Sequence, residues 1–146
     1  MSSEHLEDDL LDKLAGSWRI VREFKNRKVE NNATVEWVLN HQFLRIHMVD
    51  VNTPPKYEAM VFIGFNPSQN RYVGHWIDVF GGEFSETLGF GVRNGNSIEF
   101  TFQYPDALLT NVFSFDPASG RWTSKIDQQD QTGAFVPFCV DTYSRA

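Results

Sequence analysis

The sequence predicts a single closed antiparallel β-barrel of about ten strands with a short helix in front of it, all-β in class. Three observations point there. From Gly16 onward the chain is a series of short runs that alternate apolar and polar residues, with no further helical period. The runs are joined by brief connections, such as Asn40-His41, Asn66 to Asn70, Asn94-Gly95 and Asp116 to Gly120, which suit hairpins and are too short for crossovers. At 146 residues the chain has the length of one domain, 1–146, and a long meander removes its unpaired edges by closing on itself.

The elements follow in order. Ser2 to Leu14 reads as the helix: Glu4, Glu7, Asp8 and Asp9 sit near its N-terminus, where the dipole favours them. Leu6, Leu10, Leu11 and Leu14 form its apolar stripe, which is expected to pack on an end or side of the barrel (16–146). Strands are expected at roughly 17–25, 33–40, 42–51, 57–66, 71–80, 84–92, 96–104, 108–116, 120–127 and 134–144, each run bounded by turn residues.

The inward face is set by carrying the pairing register from one hairpin to the next. The anchor is the strand after Gly95, where Ile98, Phe100, Phe102 and Tyr104 alternate with Ser97, Glu99, Thr101 and Gln103. Forward of it, Leu109, Asn111, Phe113 and Phe115 turn inward, then Trp122, Ser124 and Ile126. Backward, a bulged three-residue Asn94-Gly95-Asn96 loop sets Phe90 beside Phe100, which brings Phe84, Glu86, Leu88 and Phe90 inside. Phe80, Asp78, Trp76 and Gly74 follow, then Tyr57, Ala59, Val61, Ile63 and Phe65. The same procedure continues to Phe43, Arg45, His47, Val49 and Val51, then Val38, Glu36 and Thr34. The first and last strands are left unassigned.

This register has two consequences. The outer face of the early strands carries Val35, Trp37, Leu39, Leu44, Ile46, Met48, Met60, Phe62, Val73, Ile77 and Val79. A patch of that size predicts a homodimer through these strands, with His75 at or near the contact; coverage by the helix is the alternative. The lumen, for its part, receives Glu36, Arg45, His47, Asp78 and Glu86, and buried charges need partners or a task. Glu36 faces Arg45, either as a structural ion pair or with Arg45 presenting its donor fork to a ligand. Asp78 facing Glu86 would repel, so that one carboxyl keeps its proton for acid–base work, or both stay hydrated at a wet mouth near Tyr57 and Tyr104. His47, beside Val61 and Trp76, reads as a hydrogen-bonded core residue.

Composition excludes several classes. The net charge is −6 with no basic stripe, which argues against nucleic acid, and no apolar run is long enough to span a bilayer. One cysteine, Cys139, cannot form an internal disulfide and reads as an inert thiol; with no leader in view, a cytoplasmic location is expected. Neither zinc spacing, nor a phosphate loop, nor a nucleophile elbow is present, and no metal or cofactor is expected. The aromatic fraction of 14% is high for a chain this size and favours a wide apolar interior.

Gly16-Ser17-Trp18 resembles the Gly-x-Trp signature of lipocalins and their calycin relatives, in which the Trp closes the barrel floor under a late arginine, here Arg145. Glu36-Trp37-Val38-Leu39, Phe43-Leu44-Arg45, Gly64-Phe65-Asn66 and the run Tyr72 to Asp78 extend the likeness over most of residues 14–127, to a family of bacterial lipocalin-like domains of unknown function. The resemblance implies a calycin barrel that binds a ligand. In strand number the chain is also similar to haem-carrying nitrobindins and to intracellular fatty-acid-binding proteins. It lacks the lid of the latter and the haem-histidine motif of the former.

Three functions follow. The favoured one is a carrier or sensor for a small, mostly apolar molecule with one polar end, contacted by Glu36, Arg45, His47, Tyr57, Trp76, Asp78, Glu86, Phe102, Tyr104 and Asn111. The second is an isomerase, cyclase or hydrolase using the same cavity, or a haem-binding protein of the nitrobindin kind. The third is a structural module whose aromatic side chains fill its own lumen.

Overall fold

The computed structural model describes residues 5–146. After a short helix α1 (Asp9–Asp12) come β1 (Gly16–Phe24), β2 (Arg27–Val38), β3 (Phe43–Asp50), β4 (Glu58–Asn66), β5 (Arg71–Asp78), β6 (Leu88–Asn94), β7 (Ser97–Gln103), β8 (Leu108–Asp116), β9 (Arg121–Gln129) and β10 (Phe135–Arg145). Each strand pairs antiparallel with its sequence neighbours and β1 pairs with β10, so the barrel closes. The all-β expectation and the strand count hold.

The helix is far shorter than the thirteen residues from Ser2 to Leu14 that the leucine stripe suggested; Ser2 and Glu4 lie outside the described residues. Asp8 explains the late start. Its carboxylate caps α1 by accepting from the Leu10 and Leu11 amides at 3.0 and 2.8 Å, and the chain before it runs past His41, where the Leu6 amide donates to the His41 carbonyl. The segment works as a plug. Leu10, Leu11 and Leu14 are fully buried in the base of the barrel, the end where β1 begins.

The carbonyls that follow the helix are all taken by side chains from the barrel. Trp18 Nε1 donates to the Leu14 carbonyl at 2.7 Å, and Arg145 donates to the carbonyls of Ala15 at 2.8 Å and Lys13 at 3.1 Å. The Arg145 guanidinium lies 3.9 Å from the centre of the Trp18 ring. Gly16 sits beneath this stack with φ +132°, and a Cβ there would come within 2.1 Å of Arg145 Nη1. The glycine of the Gly-x-Trp motif is thus required by the arginine that covers the tryptophan.

Above the plug the lower lumen is solid. Phe100 meets Tyr72 and Phe113 edge-on, Phe65 meets Tyr72 and Trp18 meets Tyr143 in the same way. These rings, with Trp122 and Ile98, leave the base half of the barrel filled by its own side chains.

Two stretches have the opposite face to the one expected. In β2 and β3 the inward residues are Asn31, Ala33, Val35, Leu44, Ile46, Met48 and Asp50, while Thr34, Glu36, Arg45 and His47 face outward. The pairing of Glu36 with Arg45 is as expected, but on the outer wall. The slip lies in the β3–β4 connection. Asp50 turns its carboxylate onto the Asn52 amide at 2.8 Å and the Lys56 amide at 3.2 Å, and the pairing that results sets Ile46, not Arg45 or His47, opposite Val61. One residue of register inverts both strands.

The second inversion is β6. Its hairpin to β7 turns on two residues, Gly95-Asn96, so that Phe90 lies opposite Thr101 and Gly91 opposite Phe100. Gly89 and Gly91 face inward because the β7 rings occupy the space a side chain would need. A Cβ at Gly89 would meet Phe102 at 2.4 Å, and one at Gly91 would meet Phe100 at 2.8 Å. Leu88, Phe90 and Val92 are therefore pushed outside, and Phe84 sits in an exposed 3-10 turn, Gly82–Phe84, of the β5–β6 connection.

These inversions also redraw the apolar outer wall. Val35, Leu44, Ile46 and Met48 belong to the core, and Trp37 is half-buried, donating to Asp12 at 2.9 Å and stacking on His41. Met60, Phe62 and Ile77 remain outside, now joined by Leu88, Phe90 and Val92.

Candidate functional site

The mouth, opposite the plug, is where the barrel departs from a packed solid. Tyr57, Trp76, Asp78, Tyr104 and Leu109 face inward by register and stay partly buried at the end that α1 does not plug. They line this end of the barrel, the cup, with Phe102 below them on the same inward face and the buried Met48, Ile126 and Cys139 on neighbouring strands; the recesses in the surface lie elsewhere, beside Lys13, Phe115 and Arg145 at the base and over Glu86, Leu88 and Phe90 on the outer wall.

A chain of polar contacts lines one side of the cup. Arg22, at the end of β1, makes a two-pronged ion pair with Asp141 of β10, Nε to Oδ1 at 2.7 Å and Nη2 to Oδ2 at 2.8 Å. The same Nη2 reaches Met48 Sδ at 3.4 Å, and the guanidinium lies 5.2 Å from the centre of the Tyr57 ring. Tyr57 donates its hydroxyl hydrogen to Asp78 at 2.8 Å and accepts from Trp76 Nε1 at 3.1 Å. Asp78 also accepts from the Phe80 amide at 3.0 Å.

Burial sets the protonation of several of these groups. It opposes the charge of Arg22, but the hydrogen bonds and charge of Asp141 win and raise its pKa further. Burial, then the Asp141 charge, pushes the Cys139 thiol up to about 12, which makes it an inert thiol. Tyr57 and Tyr104 are raised as well, by burial first and with the Asp78 charge adding to it.

Of the ten residues expected to line the ligand, six face the lumen: Tyr57, Trp76, Asp78, Phe102, Tyr104 and Asn111. Asn111 is buried and donates to Ser124 at 2.8 Å, as part of the wall rather than the cup. The other four do not reach it. Glu36 and Arg45 pair with each other on the outer wall, and His47 bonds Glu58 there at 2.5 Å. Glu86 is exposed on the connection before β6, beside Thr87 and Gln103 over an outer recess, and so does not meet Asp78.

Register on the first two strands and the last supplies what was missed: Arg22, Asn31, Cys139 and Asp141. The signal for Arg22 was present, since Trp18 and Ile20 are inward and Arg22 continues their alternation. Asn31 is 1% exposed, and neither its Oδ1 nor its Nδ2 has a hydrogen-bond partner. An orphan amide of this kind calls for an explanation.

Among the described residues no group of three or more His, Cys, Asp or Glu is placed to hold a metal ion. No described histidine faces the lumen: the exposed His5 stacks on His41 at the base, His75 bonds the Ser85 carbonyl at 2.7 Å outside, and His47 is on the outer wall. No described helix is long and apolar enough to cross a membrane.

The family described as "Protein of unknown function (DUF1579)" matches residues 3–111. The chain belongs to the DUF1579 family. The matched segment runs from ahead of the plug into β8, and so includes Arg22, Asn31, Tyr57, Trp76, Asp78 and Tyr104 of the cup, while Asp141 lies beyond it. No curated protein matches the chain.

Proposed function

We propose that this DUF1579 protein is a non-enzymatic carrier or sensor that takes a small, mostly apolar molecule with one polar end into the mouth of its barrel. The observation that carries the reading is the contrast between the two ends. The base is plugged by the buried leucines of α1, while the inward-facing Tyr57, Trp76, Asp78 and Tyr104 keep part of their surface exposed at the other end, aromatic rings with a few fixed polar groups. Asn31 adds a buried donor and acceptor on the lumen face of β2.

The Arg145–Trp18 stack over Gly16 supports a calycin-like reading of the barrel, and that fold analogy favours ligand binding without naming a ligand. The enzymatic alternative loses its carboxyl pair, because Glu86 is outside the cup. A haem held by a lumenal histidine has no described residue to hold it. We place the protein in the cytoplasm, in keeping with one buried thiol, and place a second copy of the chain on the β4–β6 outer wall.

Native mass spectrometry of freshly purified protein, followed by competition against an apolar fluorescent probe, tests the carrier reading. A retained small molecule that displaces the probe is expected. A protein that carries nothing and leaves the probe unbound is a self-filled module instead.

A further inference from the structure

We propose that the polar end of the ligand is a protonated amine, held by the Asp78 carboxylate inside a box formed by the Tyr57, Trp76, Tyr104 and Phe80 rings; this rests on reading the cup as the binding site. Charge balance in the cup leads to it. Arg22 is neutralised by Asp141 through two hydrogen bonds, so that pair contributes no net charge. Asp78 stands differently. Its hydrogen bonds come from the neutral Tyr57 hydroxyl and Phe80 amide, one on each oxygen, and no described cation lies within ion-pairing distance. A carboxylate offers about four acceptor sites, so capacity remains on both oxygens.

The surroundings suit an ammonium group. The Tyr57 hydroxyl bonds the carboxylate, the Phe80 ring lies 6.0 Å from that of Tyr57, and Tyr104, near enough for the Asp78 charge to act on it, stacks on Phe102 at 6.0 Å. Ring faces attract cations. Tyr57 is already committed as donor to Asp78 and acceptor from Trp76, so its part is to aim the carboxylate. A carboxylate ligand would bring a second negative charge to Asp78 and would meet Arg22 with its fork already on Asp141. An alcohol would satisfy a lone pair and leave the charge.

The test is calorimetric titration with n-octylammonium, n-octanol and n-octanoate, which share a tail and differ in the head. Octylammonium is expected to bind about tenfold more tightly than octanol, the worth of a charge-assisted hydrogen bond over a neutral one, with octanoate weakest. Asp78→Asn, which removes the charge and keeps one amide oxygen to accept, should erase the ammonium advantage, bringing octylammonium down to the affinity of octanol. Trp76→Leu should weaken octylammonium more than octanol. Octanol or octanoate binding as tightly as octylammonium, or a folded D78N protein keeping the preference, overturns the amine assignment while leaving the cup as a binding site. Failure of all three to bind overturns both. Should D78N not fold, the ranking on the unsubstituted protein decides.

Discussion

Asp141 is fully buried, and its charge is answered by Arg22, itself largely enclosed. Taking a carboxylate out of water is costly, and the two-pronged bond with its short distances is what offsets that cost here. Removing one partner leaves the other charge stranded. Arg22→Met or Asp141→Leu alone should each lower unfolding free energy by about 3–5 kcal/mol in urea titrations. The double substitution should recover much of that loss, because the lumen then holds two apolar side chains and no unpaired charge. Equal losses in the single and double variants would mean the pair is not coupled. Arg22 could be read as inward from its alternation with Trp18 and Ile20, but not its partner, since β1 and β10 meet only where the barrel closes.

At the scale of elements, β3 and β6 show two ways in which register reasoning goes astray. In β3 the local alternation was sound: Leu44, Ile46 and Met48 are apolar, while Arg45 and His47 are expensive to bury. Carrying parity across the long β3–β4 connection overrode that signal, because the fold of that loop depends on the Asp50 carboxylate and is not written in its length. In β6 the local alternation itself misled, since Phe90 and Leu88 are the obvious inward candidates. What decides is the neighbouring strand, whose Phe100 and Phe102 rings lie where side chains at Gly89 and Gly91 would be. The barrel, its strands and the aromatic half of the cup were legible because Ile98, Phe100 and Phe102 alternate cleanly with polar residues. Substitution separates the faces. Ile46→Ala should cost about 2–5 kcal/mol as a buried truncation, whereas His47→Ala on the outer wall should change stability by no more than about 1 kcal/mol. Gly89→Ala should cost about 1–3 kcal/mol through overpacking, and a second change of Phe102 to Leu should relieve part of it.

The whole molecule is predicted to resist alkali up to a threshold and then yield. All four tyrosines, Tyr57, Tyr72, Tyr104 and Tyr143, have their pKa raised, in each case by burial first, and the carboxylates of Asp78, Asp8 or Asp141 add to it. In the unfolded chain a tyrosine ionises near pH 10. A group whose folded pKa lies above its unfolded value contributes its stability in full below the unfolded value and loses it as pH rises toward the folded one. Stability should therefore be flat with respect to these groups up to about pH 10 and fall above it. Phenolate absorbance should stay low there and then appear together with loss of the β signal in circular dichroism. Phenolate formed near pH 10 in a still-folded protein would contradict the enclosure of these rings.

Oligomeric state belongs to the same scale. The outer wall pairs Met60 with Ile77, Phe62 with His75, His75 with Leu88 and Val73 with Phe90, so the outward residues of β4, β5 and β6 make one continuous surface. Ile77, Leu88, Phe90 and Val92 are all exposed on it, although the Arg71 guanidinium covers part of Phe90, 3.7 Å from the ring centre. Contiguous apolar surface of this kind on one side of a barrel is costly to leave in water, and a two-fold contact lets the same patch cover itself. The surface is not the one the sequence suggested: of its β2 and β3 contributors Val35, Leu44, Ile46 and Met48 are core and Trp37 is half-buried against Asp12, and β6 replaces them. Sedimentation at micromolar concentration should give twice the 16.8 kDa chain mass. Leu88→Lys with Val92→Lys should give the single-chain mass with the barrel intact, since both side chains point away from the lumen. Val35→Lys or Ile46→Lys, each placing a charge in the core, should unfold the protein rather than dissociate it. A single-chain mass for the unsubstituted protein would leave the wall without a partner and return it to the class of scattered surface apolars.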